Sequence, residues 1–185
     1  MSKAFTKIFW GFLFIFLDIR LIMPIDLFAD PIGYFFIFSS IEMIYDDLQI
    51  GRKAKNVSLA LAILSIPTIF DLTVDNGIGQ PLNWYMTGLG IAHFVLIFYI
   101  FQLIVEIAKK AGDEVFIRRS NNTCITYFIV TFIIYLWTSF AMNLSMHTDG
   151  FMTVSILLLI IGFIMGIVFL ALIWSARKIH IEPME

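Results

Sequence analysis

Asp18, Arg20, Asp26, Asp30, Asp71 and His93 all stand inside or beside strongly apolar runs, where an ionisable side chain needs a partner, water or a task. Three of these aspartates, the arginine and two prolines fall within Asp18 to Phe35, a stretch that a plain membrane segment would fill with Leu and Ile. Carboxylates in such a setting attract a cation, an arginine fork holds a carboxylate through two hydrogen bonds, and a histidine accepts a proton. Asp18 and Arg20 are two residues apart and point to opposite sides of a helix, so Arg20 is expected to find Asp30 or Asp71 instead. His93 is expected to pair with Asp71 or Asp18. No H-x-x-x-H, H-E-x-x-H or clustered His/Cys spacing accompanies them, and carboxylates alone leave the identity of any metal unknown. G-x-S-x-G, a phosphate-binding glycine loop and G-x-G-x-x-G are also absent, so no catalytic residue is assigned and no cofactor is expected.

The elements that must hold these residues follow from composition. Of 185 residues, 60% are apolar, 16% aromatic and 14% charged, against about 25% charge in soluble domains. The expected fold is all-α: a six-helix transmembrane bundle of three outward-pointing hairpins, forming a single integral membrane domain over residues 1–185. Apolar runs near 5–24, 31–49, 56–74, 84–107, 122–143 and 151–175 approach the roughly 20 helical residues that cross a hydrocarbon core. All but Arg20 of the 12 basic residues fall at the start of the chain or in the connections after the second, fourth and sixth runs. The positive-inside rule makes that side cytoplasmic, which places the chain in the plasma membrane with both termini inside. The lipid bilayer is therefore the first partner, and a net charge of −2 with scattered basic clusters excludes nucleic acid. Lys3 and Lys7 ahead of Ile8–Leu17 imitate a signal peptide, but no small-residue cleavage site follows, so an uncleaved first span is expected. The single cysteine, Cys124, excludes an intrachain disulfide and reads as apolar filler.

Counting along helices sets the depth of the ionisable groups. Asp18 lies 11 residues beyond Lys7, Asp30 lies 16 from Asp46, Asp71 16 from Lys55 and His93 13 from Glu106. At 1.5 Å per residue these are about 16, 24, 24 and 20 Å, a common layer in the outer half of the bilayer. Asp30-Pro31 carries a helix-start signature, with Asp as cap and Pro as first helical residue. Gly33 would let another helix approach closely, and Gly162 with Gly166 form a G-x-x-x-G in the last apolar run, a motif of close helix packing. Pro67 predicts a kink in the third segment. His147 and His180 read as solvated.

The segment Phe12 to Tyr45 resembles the N-terminal part of uncharacterised small multi-pass membrane proteins of Gram-positive bacteria, which carry a pattern like D-I-L-P-D-x-I-G-Y. Here it runs Asp26, Leu27, Phe28, Ala29, Asp30, Pro31, Ile32, Gly33, Tyr34, with Phe28 for the leucine, Ala29 for the proline and a proline moved to position 31. The resemblance implies a small bacterial multi-pass protein and brings no activity with it. The residues themselves suggest an outer-half polar layer that binds, senses or passes a small cation or solute. Two other readings stand beside it: an accessory or immunity-type membrane protein whose ionic layer is structural, and an intramembrane enzyme with paired acids. A homodimer or a membrane partner would supply a second half that one short chain lacks.

Overall fold

A computed structural model describes residues 1–17, 30–44, 49–69, 79–141 and 149–179. They form six α-helices: α1 (Ser2–Leu17), α2 (Asp30–Glu42), α3 (Gln49–Leu64), α4 (Gly79–Lys110), α5 (Glu114–Ala141) and α6 (Asp149–Ala176). A short 3-10 turn, Ile66–Ile69, follows α3, and no strand occurs among the described residues. The fold is therefore all-helical, as the composition requires.

The helices differ from the sequence expectation in length. Three of them, over Trp84–Lys110, Glu114–Phe140 and Gly150–Ala176, are long and apolar enough to cross a membrane. At 27 residues each they reach about 40 Å. The described parts of α1, α2 and α3 run 16, 13 and 16 residues, or about 24, 20 and 24 Å. Helix α3 begins at Gln49 rather than near 56, and so takes Arg52, Lys53 and Lys55 into its first turns. Its α-helical hydrogen bonding stops at Leu64, because Pro67 has no N–H to continue the ladder, and a 3-10 turn replaces the expected kink. Helix α5 likewise starts at Glu114 instead of near 122, with Arg118 and Arg119 helical.

That early start has a local cause. Gly112 takes a left-handed φ of 69°, and the Asp113 N–H reaches back to the Ala108 carbonyl at 3.1 Å, closing the end of α4. One residue on, the Phe116 N–H donates to Asp113 Oδ1 at 2.9 Å, capping α5. Lys109 and Lys110 in the last turn of α4 and Glu114 in the first turn of α5 complement the two helix dipoles.

Each helix packs on its neighbours in sequence, and α6 returns to α1, so the six close into a ring. Pairwise contacts fix the directions. Lys7 reaches Ser39 while Gly11 lies against Gly33 and Ile37, so α1 and α2 are antiparallel. The Tyr85 hydroxyl donates to the Leu64 carbonyl, joining the end of α3 to the start of α4. Phe94 meets Tyr135 while Phe101 meets Tyr127; Trp137 stacks on Phe151; Phe9 meets Trp174 while Phe16 meets Phe163. Lys55 meets Glu42 at the end of α2 while the 3-10 turn after α3 packs farther back on α2, so every adjacent pair runs antiparallel, which brings Lys7, Lys55, Lys109, Arg118 and Arg177 to one end, the basic end.

The core is a set of stripes. Phe5, Ile8 and Phe12 of α1, Tyr34, Ile37 and Ile41 of α2, and Leu96, Ile97, Ile100, Leu103, Ile104 and Ile107 of α4 are buried, each set at helical spacing. Helix α3 contributes small residues, with Ala54, Ser58 and Ala62 one turn apart and buried. The buried hydroxyls of Ser40 and Ser58 donate to carbonyls of their own helices, those of Phe36 and Lys55. On α5, Ile125, Ile129, Phe132, Leu136 and Phe140 turn outward, as do Ile156, Leu159, Ile160 and Phe163 on α6. Apolar groups facing away from the protein at this density suit hydrocarbon rather than water.

Candidate functional site

Asp30 opens α2, where its carboxylate favours the positive helix end, and Pro31 follows it at a position that needs no N–H donor. Tyr34 is one turn further along the same face and is buried. Its hydroxyl lies 2.9 Å from Nδ1 of His93 on α4, donating when Nε2 carries the proton and accepting when Nδ1 does. His93 thus meets α2 at Tyr34, one helical turn from Asp30 toward the basic end. Phe12 of α1 stands edge-on to the same imidazole, with centroids 6.0 Å apart.

The imidazole also lines a pocket. About 230 Å³ lies between α1, α4, α5 and α6, open on one side, with Phe12, Phe16, Tyr127 and Phe169 as aromatic walls and His93 and Ile97 on the α4 side. A site with one imidazole, one phenol and three phenyl rings has the polarity of a receptor for an organic cation or an apolar solute, since ring faces attract positive charge. Gly166 makes the floor possible: a Cβ there would collide with the Phe16 ring.

The glycines singled out from the sequence sit at different kinds of contact. A Cβ on Gly33 would lie 2.7 Å from the Gly11 carbonyl oxygen, so α1 and α2 cross backbone to backbone. Gly162 faces Ile134 of α5 at 3.0 Å and Gly166 faces Phe16 of α1. The G-x-x-x-G thus serves two neighbours of α6 within one chain and seats side chains, not a second backbone.

Among the six ionisable residues picked from sequence, Asp30 and His93 are described; His93 meets Tyr34, which stands one helical turn from Asp30. Asp18, Arg20, Asp26 and Asp71 lie outside the described residues, as do His147 and His180. Tyr34 itself is the residue that sequence reasoning passed over. Its signal was the i, i+4 spacing from Asp30 together with a phenol on an apolar helix face, where a hydroxyl needs a partner. Among the described residues, no group of three or more His, Cys, Asp or Glu side chains is placed to hold a metal ion. Comparison with protein-family models, with curated proteins and with solved structures finds no match to this chain.

Proposed function

We propose that this chain is a polytopic protein of the bacterial plasma membrane, with both termini cytoplasmic, whose polar layer binds, senses or passes a small cation or solute. The observation that carries the reading is His93, held at Nδ1 by Tyr34 and lining a pocket walled by aromatic rings. An imidazole placed in this way is an arrangement that a purely structural hydrogen bond does not require. The basic clusters gathered at one end of the ring support the orientation, by the positive-inside rule. Three outward-pointing hairpins then follow from the antiparallel order of the helices. The resemblance to small multi-pass proteins of Gram-positive bacteria fits the same reading.

A structural role for the layer has one observation in its favour: Tyr34 and His93 satisfy each other without any ligand. Reconstituted liposomes separate the two. Uptake of H⁺, Na⁺, K⁺ and tetramethylammonium, together with saturable quenching of tryptophan fluorescence by each, is measured for the wild type, His93→Gln and Tyr34→Phe. Uptake or binding that needs His93 supports the proposal. If none of the four is bound or taken up, or if both substitutions leave the signal unchanged, the layer is structural.

A further inference from the structure

At the basic end, a second and larger chamber of about 310 Å³, open on one side, lies between α4 and α5, with Ile50 of α3 also lining it. Its α4 wall is the stripe Phe98, Gln102, Glu106, which recurs at four-residue intervals beside the buried stripe of the same helix. Helix α5 contributes Asn121 and Cys124. Glu106 is the one acidic residue of the Trp84–Lys110 span, and its Oε2 is buried without a hydrogen-bond donor. Rotation about the last side-chain bond exchanges the two oxygens, so the carboxylate as a whole is short of donors and borders a space able to admit one. Lys109, one turn on, is exposed at the rim and forms no ion pair with Glu106 among the described residues.

We infer that this chamber is a binding site for a primary ammonium group carried on an apolar or aromatic body. An ammonium has three N–H donors and no acceptor. Three lining side chains carry acceptors that could match: the Glu106 carboxylate and the amides of Gln102 and Asn121, which turn an oxygen toward a donor by rotation. Phe98 and Phe101 supply ring surface for the body of the ligand and attract its charge. A carboxylate ligand would meet Glu106 with like charge, and a neutral one would leave the carboxylate uncompensated. The size falls at the lower limit of small-molecule pockets, about 300–1,000 Å³, which suits an arylalkylamine or a phosphoethanolamine headgroup. The site is separate from the Tyr34–His93 cavity, so it stands or falls independently of the proposal made for that layer.

Cys124 lines the chamber and is the chain's single cysteine, so it reports occupancy without any introduced label. A methanethiosulfonate reagent forms a mixed disulfide with its thiolate and releases methanesulfinate. Rates are taken for full-length protein with 2-aminoethyl methanethiosulfonate, which carries a primary ammonium, and with neutral methyl methanethiosulfonate, each relative to its rate with free glutathione. The ammonium reagent should be favoured by roughly tenfold, the scale of one charge-assisted hydrogen bond, and Glu106→Gln should bring the ratio close to unity. On the unaltered protein, phenethylammonium should slow labelling while phenethyl alcohol does not. Bilayers of phosphatidylethanolamine and phosphatidylcholine then identify the source. Slower labelling in the first assigns the lipid headgroup, and equal rates assign a soluble amine. An equal ratio in wild type and Glu106→Gln, no protection by phenethylammonium, or equal protection by the alcohol each overturns the inference.

Discussion

Replacing Gly33 by alanine should push α1 and α2 apart. The added Cβ would sit 2.7 Å from the Gly11 carbonyl oxygen and 2.5 Å from Ile15 Cγ1. A side chain can swing away, but a carbonyl in the middle of a helix cannot, so the crossing itself has to open. Alanine gains about 1 kcal/mol over glycine in a helix interior, and overpacking a close contact costs about 1–3 kcal/mol. Gly88 isolates the second effect, because a Cβ there meets nothing within 4 Å and should show the propensity gain alone. Gly33→Ala is therefore expected to be less stable than Gly88→Ala by about 1–3 kcal/mol. Reversible unfolding in mixed detergent–SDS micelles, followed by far-UV circular dichroism, gives both numbers. Adding Gly11→Ala to Gly33→Ala should cost less than its single effect, by about 0.5 kcal/mol or more, since the helices have already separated. A Gly33→Ala protein as stable as Gly88→Ala would refute the close crossing.

Tyr34→Phe removes the hydroxyl that partners His93 Nδ1 and should cost about 1–3 kcal/mol in the same unfolding assay, whereas Tyr34→Phe with His93→Phe should recover most of it. A neutral Tyr34→Phe would show that the bond does not form. The Lys55–Glu42 ion pair, at 2.6 Å with side chains 22% and 56% exposed, should contribute within about 1 kcal/mol and lose its effect at high salt. A double-mutant cycle at low and 1 M NaCl measures that. With Cys124→Ala as background, cysteines at 84 and 112 should label from opposite sides of intact cells, position 84 from outside. Labelling of both from one side would overturn the assigned orientation.

Much of the fold could be read from the amino-acid order, because apolar runs of this length admit little besides helix. Helices α4 and α6 cover the apolar runs that predicted them, whereas α5 starts ahead of its run because Gly112 and the capping Asp113 set its first turn, a local signal that hydropathy does not weigh. Helix α3 was displaced because hydropathy treats Arg52, Lys53 and Lys55 as the end of a segment, while backbone hydrogen bonding is indifferent to side-chain charge. The partners expected for Asp30 and His93, namely Arg20, Asp71 and Asp18, lie outside the described residues, and the pairing rules, which searched for charged groups, overlooked the phenol of Tyr34 beside His93. The Glu106 chamber was hidden for a different reason. A carboxylate four residues from the end of a helix reads as a boundary marker, and only the juxtaposition of Asn121 and Cys124 across from it reveals a pocket.

The seam between α1 and α6 has a consequence for biogenesis. Phe9, Phe12 and Phe16 find Trp174, Phe169 and Phe163, partners that lie far downstream in the sequence. Helix α1 must therefore wait, with its aromatic edge unmatched, until α6 has been made, and contacts this distant in sequence form slowly. Chains stalled before position 163 would expose that edge within the bilayer, an unpaired surface that membrane quality control could recognise as unfinished.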